Sequence, residues 1–505
     1  MNDIKSIFKE LDNLSEKDKE LIQKAYDFAE EAHKNQKRNS NEPYFNHLFA
    51  TALNIAQLKM SATTISAGFL HDAIEDTEKT GEDLEKEFGG EIRFLVEGVT
   101  KLGKIKYQGT SRHNESLRKL FVAMSQDIRV LIIKLCDRLH NIQTLNFVPE
   151  AKRLRIATET LEIYAPIAYR LGIRKVHREL EDIAFSYVYP KEYAEVSKLV
   201  KQKQGIEIEA LEKFSKSLKK ELAKGGMTDF KMDHRIKGLY SLYKKLERYD
   251  MDIEKVHDLA AMRVLVPSVT DCYSVLGLIH SNWMPLPGKI KDYIAFPKPN
   301  GYKSLHTTIF TGDGSIVEIQ IKTNEMYQEA EYGIASHISY KQGLNKKITN
   351  PNLLWLRKIL PAQKKWAGEK DAKVDDKVSS DIPHWVKDLV KYQGEAGEED
   401  FIDDIKTDFF EERIFVFTPI GDVIDLPKKS SVVDFAYSIH SDIGNHISGA
   451  KVNGKFVAIN TILNNGDRVQ IETKKTSKPS RKWLEYCKTT MAKRHIRMFL
   501  EENIK

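Results

Sequence analysis

The chain has 505 residues, 41% of them hydrophobic and 30% charged, with a net charge of +6. That length suits roughly three domains with ample core. No apolar run approaches the ~20 residues of a membrane helix, and residues 1–10 lack a signal-peptide core. The three cysteines, Cys136, Cys272 and Cys487, are too widely spaced for a disulfide framework or a Cys-rich zinc site, which fits a reducing cytoplasm. The mild positive charge permits nucleotide or RNA binding without requiring it.

Residues 1–190 repeat apolar side chains at three- and four-residue spacing and predict an all-α domain. Its most informative run is His71-Asp72-Ala73-Ile74-Glu75-Asp76. Read as one helix with Ile65, Phe69, Leu70 and Ile74 on the apolar side, it stacks His71 near Glu75 and Asp72 near Asp76. A nitrogen and several oxygens on one face suit a borderline divalent ion such as manganese better than a closed zinc cage. A solvated acidic face explains the carboxylates but explains the His-Asp pair less well. Pro43-Tyr44-Phe45-Asn46-His47 ends in a second histidine before an apolar helix. Asp137 lies in an otherwise apolar helix and needs a cation, a donor or a metal there. His47, His71, Asp72 and Asp137 make an open nitrogen-and-oxygen site, the pattern that resembles the HD phosphohydrolase superfamily.

Pro190 interrupts the pattern, and residues 191–227 read as a charged helical connector ending at Gly225-Gly226. Residues 228–342 alternate short strands with helices, an α/β pattern with a central sheet. The strand Ser315 to Lys322 sends Val317, Ile319 and Ile321 to the core and Glu318, Gln320 and Lys322 to the opposite face. Asp258 opens another strand. Two carboxylates on neighbouring strands, Asp258 and Glu318, suit magnesium and triphosphate oxygens. The surrounding cations, Arg235, Lys237, Lys245, Lys289, Lys291 and Lys298, suit phosphoryl transfer; any single lysine among them also reads as solvated surface. Residues 343–411 form a polar linker with two Trp-centred helical pieces. Residues 412–474 form a compact β-rich module, and residues 475–505 a basic helical tail.

The run Lys289 to Thr307, containing Asn300-Gly301-Tyr302, resembles the synthetase domain of the RelA/SpoT homologues, which make and degrade the alarmone (p)ppGpp. Glu318-Ile319-Gln320-Ile321 and Glu331-Tyr332-Gly333 extend that likeness. His47, His71 to Asp76 and Asp137 to Asn141 resemble the family's hydrolase domain. Phe415 to Pro419 with Asp434 to His440 resembles its TGS module. The resemblance implies three folds in chain order: an all-α HD-type hydrolase domain, an α/β nucleotidyltransferase-like synthetase domain with a mixed sheet, and a small β-grasp-like TGS domain.

By position, the family's roles fall as follows. His47, His71, Asp72 and Asp137 hold Mn2+, and Glu75 and Asp76 orient the attacking water or shuttle protons. Arg38, Ser40, Asn141 and Thr144 contact the nucleotide. Asp258 and Glu318 bind Mg2+, and Glu318 activates the 3′-hydroxyl of GDP or GTP. Tyr302 stacks on guanine. Arg235, Lys237, Ser241, Lys245, Lys291, Lys298, Asn300, His306 and Gln320 complete the ATP and GDP/GTP sites. The implied partners are these nucleotides, (p)ppGpp and, through His440, uncharged tRNA on the ribosome; no membrane is implied.

Both pairs, His-Asp and Glu-Asp, are intact, and Lys289-Ile290-Lys291-Asp292 resembles the basic form found in bifunctional members. Departures are Asn39 where lysine is common, Lys322 where arginine is common and Tyr327 where histidine is common. Replacing arginine by lysine at a phosphate site loses bidentate geometry. The expectation is therefore a bifunctional synthetase and hydrolase. The alternatives are a hydrolase with a regulatory synthetase domain, or a tRNA- or ribosome-binding regulator. The sequence stops at Lys505, inside what resembles the start of a helical region, and leaves open whether the chain is truncated or naturally short.

Overall fold

The computed structural model describes residues 3–11, 14–103, 127–256, 259–298, 301–312, 315–336 and 413–502. The chain divides into two compact units, Met1–Ile382 and Pro383–Lys505. The first holds a helical domain and a mixed-sheet domain, and the second holds the β-rich module.

The helical domain is built around the helix Ala62–Leu70, which is buried on all sides. It packs against the helices Glu16–Ala32, Phe45–Gln57 and Gly90–Gly103, which enclose its small and apolar side chains. Side-chain caps fix the helix starts. Ser61 accepts from the Thr64 amide, and Asp127 accepts from the Arg129 amide at the head of the helix Ile128–Gln143.

The run from His71 to Asp76 is not one helix. Ala62–Leu70 ends with His71 as its cap, and a separate turn, Ala73–Asp76, starts after Asp72. Both junction residues keep right-handed helical angles, His71 at φ −61°, ψ −30° and Asp72 at φ −98°, ψ −2°, and His71 Nε2 lies 3.1 Å from Asp72 Oδ2.

In the second domain the strands β1 (Lys231–Ile236), β2 (Ala260–Val266), β3 (Lys291–Asp292), β4 (Leu305–Phe310) and β5 (Ile316–Thr323) form one sheet in the order β1-β2-β5-β4-β3. Only β2 and β5 run parallel. Val317, Ile319 and Ile321 are buried with Met262, Val264, Leu305 and Ile309 on one face, as the alternation predicts. The helix Pro190–Lys224 is more than a connector. Its Leu211, Phe214, Leu218 and Leu222 belong to this same core, beside Cys272, Val275 and Ile279 of the helix Val269–Asn282.

The helix Arg174–Val188 joins the two domains. It packs against the helices Pro190–Lys224, Leu239–Leu246 and Asn324–Tyr332. Asp182 accepts from the Tyr240 amide at 3.0 Å, and the Ile334 amide donates to the Leu171 carbonyl at 3.0 Å. Gly333 adopts φ +54°, and a Cβ there would overlap the Leu171 and Gly172 backbone.

The second unit pairs β6 (Arg413–Phe417) with β7 (Val423–Pro427), and β8 (Ile447–Val452) with β9 (Lys455–Val457) and β10 (Val469–Thr473). The helix Val432–Ile439 lies among them with a Ser431/Asp434 capping box. The described residues after 475 include the helix Thr490–Glu502 and pack onto this module. Trp483, Cys487, Ala492 and Ile496 share its core, and the buried Asp434 carboxylate accepts from the Thr489 amide at 2.7 Å. The two Trp-centred segments of the linker lie outside the described residues. Among the described residues, no helix is long and apolar enough to cross a membrane.

Candidate active sites

The first site lies where three segments of the helical domain meet. His47 is on the first turn of Phe45–Gln57, His71 and Asp72 sit at the helix break, and Asp137 is in mid-helix on Ile128–Gln143. His47 Nε2 lies 3.3 Å from Asp137 Oδ1 and 3.6 Å from Asp72 Oδ2. His71 Nε2 lies 3.1 Å from Asp72 Oδ2 and 3.8 Å from Asp137 Oδ1. One ligand atom each from His47, His71 and Asp137 falls within 4.8 Å of the others.

The donor set fits a divalent metal. His71 Nε2 is buried without a hydrogen-bond partner, Asp72 lying off the direction such a bond needs. The other ring nitrogen, Nδ1, is 2.8 Å from the Gly68 carbonyl, which fixes it as the N–H and leaves Nε2 for a ligand. Burial disfavours a charged His71, but the Asp72 carboxylate outweighs it and raises the imidazole to about 9, so a metal binding at Nε2 must displace a proton there. Burial holds His47 below its usual value. Burial also works against the Asp137 carboxylate, yet Lys134 and both histidines hold it well below the carboxylate range.

Further partners surround these groups. Lys134 Nζ donates to Asp137 Oδ2 at 2.7 Å, and Asn141 Nδ2 donates to Oδ1 at 2.5 Å. Tyr44 stacks on His33, and its hydroxyl is 2.8 Å from both Asp72 Oδ2 and Asp76 Oδ2. Arg38 bonds His140 Nδ1 at 2.9 Å and Asn141 Oδ1 at 2.6 Å. Burial pushes His140 down to about 3. Glu75 is exposed on the turn after Asp72. Ser40 and Thr144 point elsewhere: Ser40 Oγ bonds Glu42 at 3.4 Å, and Thr144 Oγ1 bonds the His140 carbonyl at 2.9 Å.

The second site lies on the polar face of the mixed sheet. Glu318 sits opposite Ala261 of β2 and Thr308 of β4, while Gln320 sits opposite His306. His306 pairs in turn with Lys291 of β3. A polar chain runs through these residues. His306 Nδ1 lies 3.2 Å from Glu318 Oε1, and His306 Nε2 lies 2.8 Å from the Tyr302 hydroxyl. Lys322 Nζ donates to that hydroxyl at 3.1 Å, and Gln320 Nε2 donates to Glu318 Oε1 at 3.0 Å.

Tyr302 is buried, and its ring has Arg174, Lys298 and Lys322 within 5.3 Å of its centre. Burial opposes the phenolate, but Lys322, His306 and Arg174 bring the Tyr302 hydroxyl well below its usual value. Burial lowers Lys298 to about 8 and Arg235 to about 10. Arg235 lies on β1, Lys237 just beyond it, and Ser241 and Lys245 on the helix Leu239–Leu246. Ser241 Oγ donates to Glu181 Oε2 at 3.3 Å. Asp258 and Asn300 lie outside the described residues. The departure at Tyr327 has a partner, since its ring carries the Arg263 guanidinium at 4.3 Å. His440 caps the helix Ser441–Asn445 in the second unit, accepting from the Asp442 amide at 3.1 Å through Nδ1.

Sequence reasoning missed Tyr44, Lys134, His140 and Arg174. Tyr44 precedes His47 by three residues and Lys134 precedes Asp137 by three, so helical spacing carried a signal for both. Arg174 has no local signal, because only the packing of the helix Arg174–Val188 brings it to Tyr302.

Comparison with known proteins accords with this geometry. Residues 25–174 match the HD domain, residues 234–345 match the region found in RelA / SpoT proteins, and residues 414–473 match the TGS domain. The chain belongs to the RelA/SpoT homologue family. It is 43% identical over 96% of its length to a guanosine-3′,5′-bis(diphosphate) 3′-pyrophosphohydrolase of Aquifex aeolicus (strain VF5), covering 65% of that protein. It is 41% identical to a GTP pyrophosphokinase of Myxococcus xanthus, over 96% of this chain and 61% of the relative. With the bifunctional (p)ppGpp synthase/hydrolase SpoT of Escherichia coli (strain K12), 38% identity spans 95% of this chain and 64% of the relative. The chain thus spans somewhat less than two thirds of the RelA/SpoT relatives it matches.

Proposed function

We propose that this chain both makes and degrades (p)ppGpp. In synthesis, the 3′-hydroxyl of GDP or GTP attacks the β-phosphorus of ATP, pyrophosphate transfers and AMP leaves. In degradation, water cleaves the 3′-pyrophosphate to return GDP or GTP. The observation that supports this is one compact unit holding two unlike acidic sites, a His/His/Asp/Asp cluster and a sheet face centred on Glu318. A cytoplasmic location suits these nucleotide substrates.

In the hydrolase, His47, His71, Asp72 and Asp137 would hold Mn2+. When bound, it supplies a water acidified toward hydroxide and a charge that stabilises the pyrophosphate. Asp76 and Glu75 take the water's proton, and the Tyr44 hydroxyl, 2.8 Å from both carboxylates, donates its one proton to either Asp72 or Asp76 and so couples them. Arg38, Ser40, Asn141 and Thr144 are the proposed nucleotide contacts, and Ser40 and Thr144 would have to leave Glu42 and the His140 carbonyl to serve.

In the synthetase, Glu318 takes the proton of the 3′-hydroxyl, and Glu318 with Asp258 would hold Mg2+, which supplies charge to the ATP phosphates. His306 and Gln320 fix the Glu318 carboxylate. Arg235, Lys237, Ser241, Lys245, Lys291 and Lys298 steady phosphates, with Asn300 and Tyr302 at the guanine. Guanine stacking requires Arg174 or the Lys298 segment to leave the Tyr302 ring, because that ring is buried. This burial favours a second reading, a hydrolase whose synthetase domain is regulatory. His440, with its Nδ1 held by its own backbone, is the proposed contact for the 3′ end of tRNA.

The test incubates the chain with ATP, GDP and Mg2+, and separately with ppGpp and Mn2+, and follows nucleotides by chromatography. Loss of hydrolysis alone in Asp72→Ala and of synthesis alone in Glu318→Ala is expected. Hydrolysis without synthesis would favour the second reading.

A further inference from the structure

Arg38 sits outside the cluster of metal-binding candidates yet touches it along two branches. The first branch runs to His47. Arg38 Nη1 is 2.9 Å from His140 Nδ1, and His47 Nδ1 is 2.8 Å from the same atom. A guanidinium has donors and no acceptor, so His140 Nδ1 must accept, and its proton lies on Nε2. The His47 Nδ1 facing it must be an N–H, because two bare ring nitrogens 2.8 Å apart would repel, and the single lone pair of His140 Nδ1 is then shared between the two donors. That leaves the lone pair of His47 on Nε2, the atom 3.3 Å from Asp137 Oδ1 and 3.6 Å from Asp72 Oδ2.

The second branch runs to Asp137. Arg38 Nη2 donates to Asn141 Oδ1 at 2.6 Å. This orients the amide so that its NH2 donates to Asp137 Oδ1 at 2.5 Å. One guanidinium thus fixes the tautomer of one ligand and the carboxylate orientation of another. The Gly68 carbonyl does the corresponding work for His71 alone.

We propose that His140 and Arg38 are positioning residues of the metal site, with His140 selecting the metal-binding tautomer of His47 and Arg38 enforcing that selection. This role is separate from any nucleotide contact Arg38 makes, and it rests on the metal-site reading above. Outer partners of metal-ligating histidines set ring orientation and basicity, and losing one weakens metal binding by roughly ten- to a hundredfold.

The test measures Mn2+ affinity of the metal-stripped full chain without nucleotide, by electron paramagnetic resonance of free Mn2+. His140→Leu should weaken binding by about ten- to a hundredfold. His140→Gln keeps a carbonyl oxygen for the His47 N–H and should recover most of that loss. Arg38→Met, at a partly exposed position, should also weaken binding and serves alone if His140→Leu does not fold. Wild-type affinity in Arg38→Met or His140→Leu, or a Gln variant no better than Leu, overturns the inference while leaving the metal site standing. Absence of Mn2+ binding in the wild type, or binding that survives His71→Ala, overturns the metal-site reading and the inference with it.

Discussion

The Arg174 guanidinium lies 5.0 Å from the centre of the Tyr302 ring, and the two residues come from different domains. Arg174 opens the last helix of the hydrolase-like domain, whereas Tyr302 belongs to the loop before β4 of the synthetase-like domain. A cation over an aromatic face contributes roughly 0.5–2 kcal/mol. Guanine seeking the same face must displace it. Arg174→Ala should therefore tighten GDP binding by up to about thirtyfold, read by calorimetry, with Mn2+ affinity unchanged. Weaker GDP binding would instead make Arg174 a contact to the nucleotide.

Tyr44 bridges Asp72 and Asp76 through one hydroxyl. Tyr44→Phe keeps the ring stack on His33 but frees both carboxylates. The turnover number for ppGpp hydrolysis should fall by about ten- to a hundredfold, less than the roughly 10²–10⁴-fold that a general acid–base group itself contributes, because Asp76 and Glu75 remain. Mn2+ affinity should change far less. Equal losses in both would place Tyr44 among the groups that build the metal site.

Lys134 is the cation that compensates the buried Asp137. Removing one partner of a buried pair costs about 3 kcal/mol, because the other charge stays uncompensated. Lys134→Met should lower the thermal midpoint of the metal-free chain, and added Mn2+ should restore part of it. A midpoint equal to wild type would show that the histidines suffice.

Burial brings Lys298 down to about 8, so its neutral form gains ground above that pH. An anionic nucleotide favours the charged form, and binding above pH 8 must therefore take up a proton. GDP affinity should fall as pH rises through 8, by at most about tenfold per unit. Lys298→Arg, which stays charged, should flatten the profile. An unchanged slope in that variant would assign the dependence to another group.

Much of this was legible in the sequence where chemistry and periodicity coincide. The alternation around Glu318 gave the correct buried face, and the separated His47, His71, Asp72 and Asp137 do meet. The helix break at His71 was not legible, because the run from Ala62 to Asp76 contains neither proline nor any glycine at the junction to mark it. The long helix Pro190–Lys224 read as a connector because its charges outnumber its apolar residues. Its four core residues near the C-terminal end show their purpose only once the sheet is in place. Contacts such as Arg174 with Tyr302 depend on domain packing, which no local pattern encodes.

Gly333 meets the hydrolase-like domain backbone to backbone, at Leu171 and Gly172. Genetics should therefore treat this position differently from the rest of the junction. A defect at Glu181 has a side chain, Ser241, to change in reply on the opposing helix. A side chain introduced at 333 strikes carbonyl atoms that every amino acid possesses. Suppressor screens starting from Gly333→Ala should return no compensating substitution at 171 or 172, only true revertants or changes that shift whole helices.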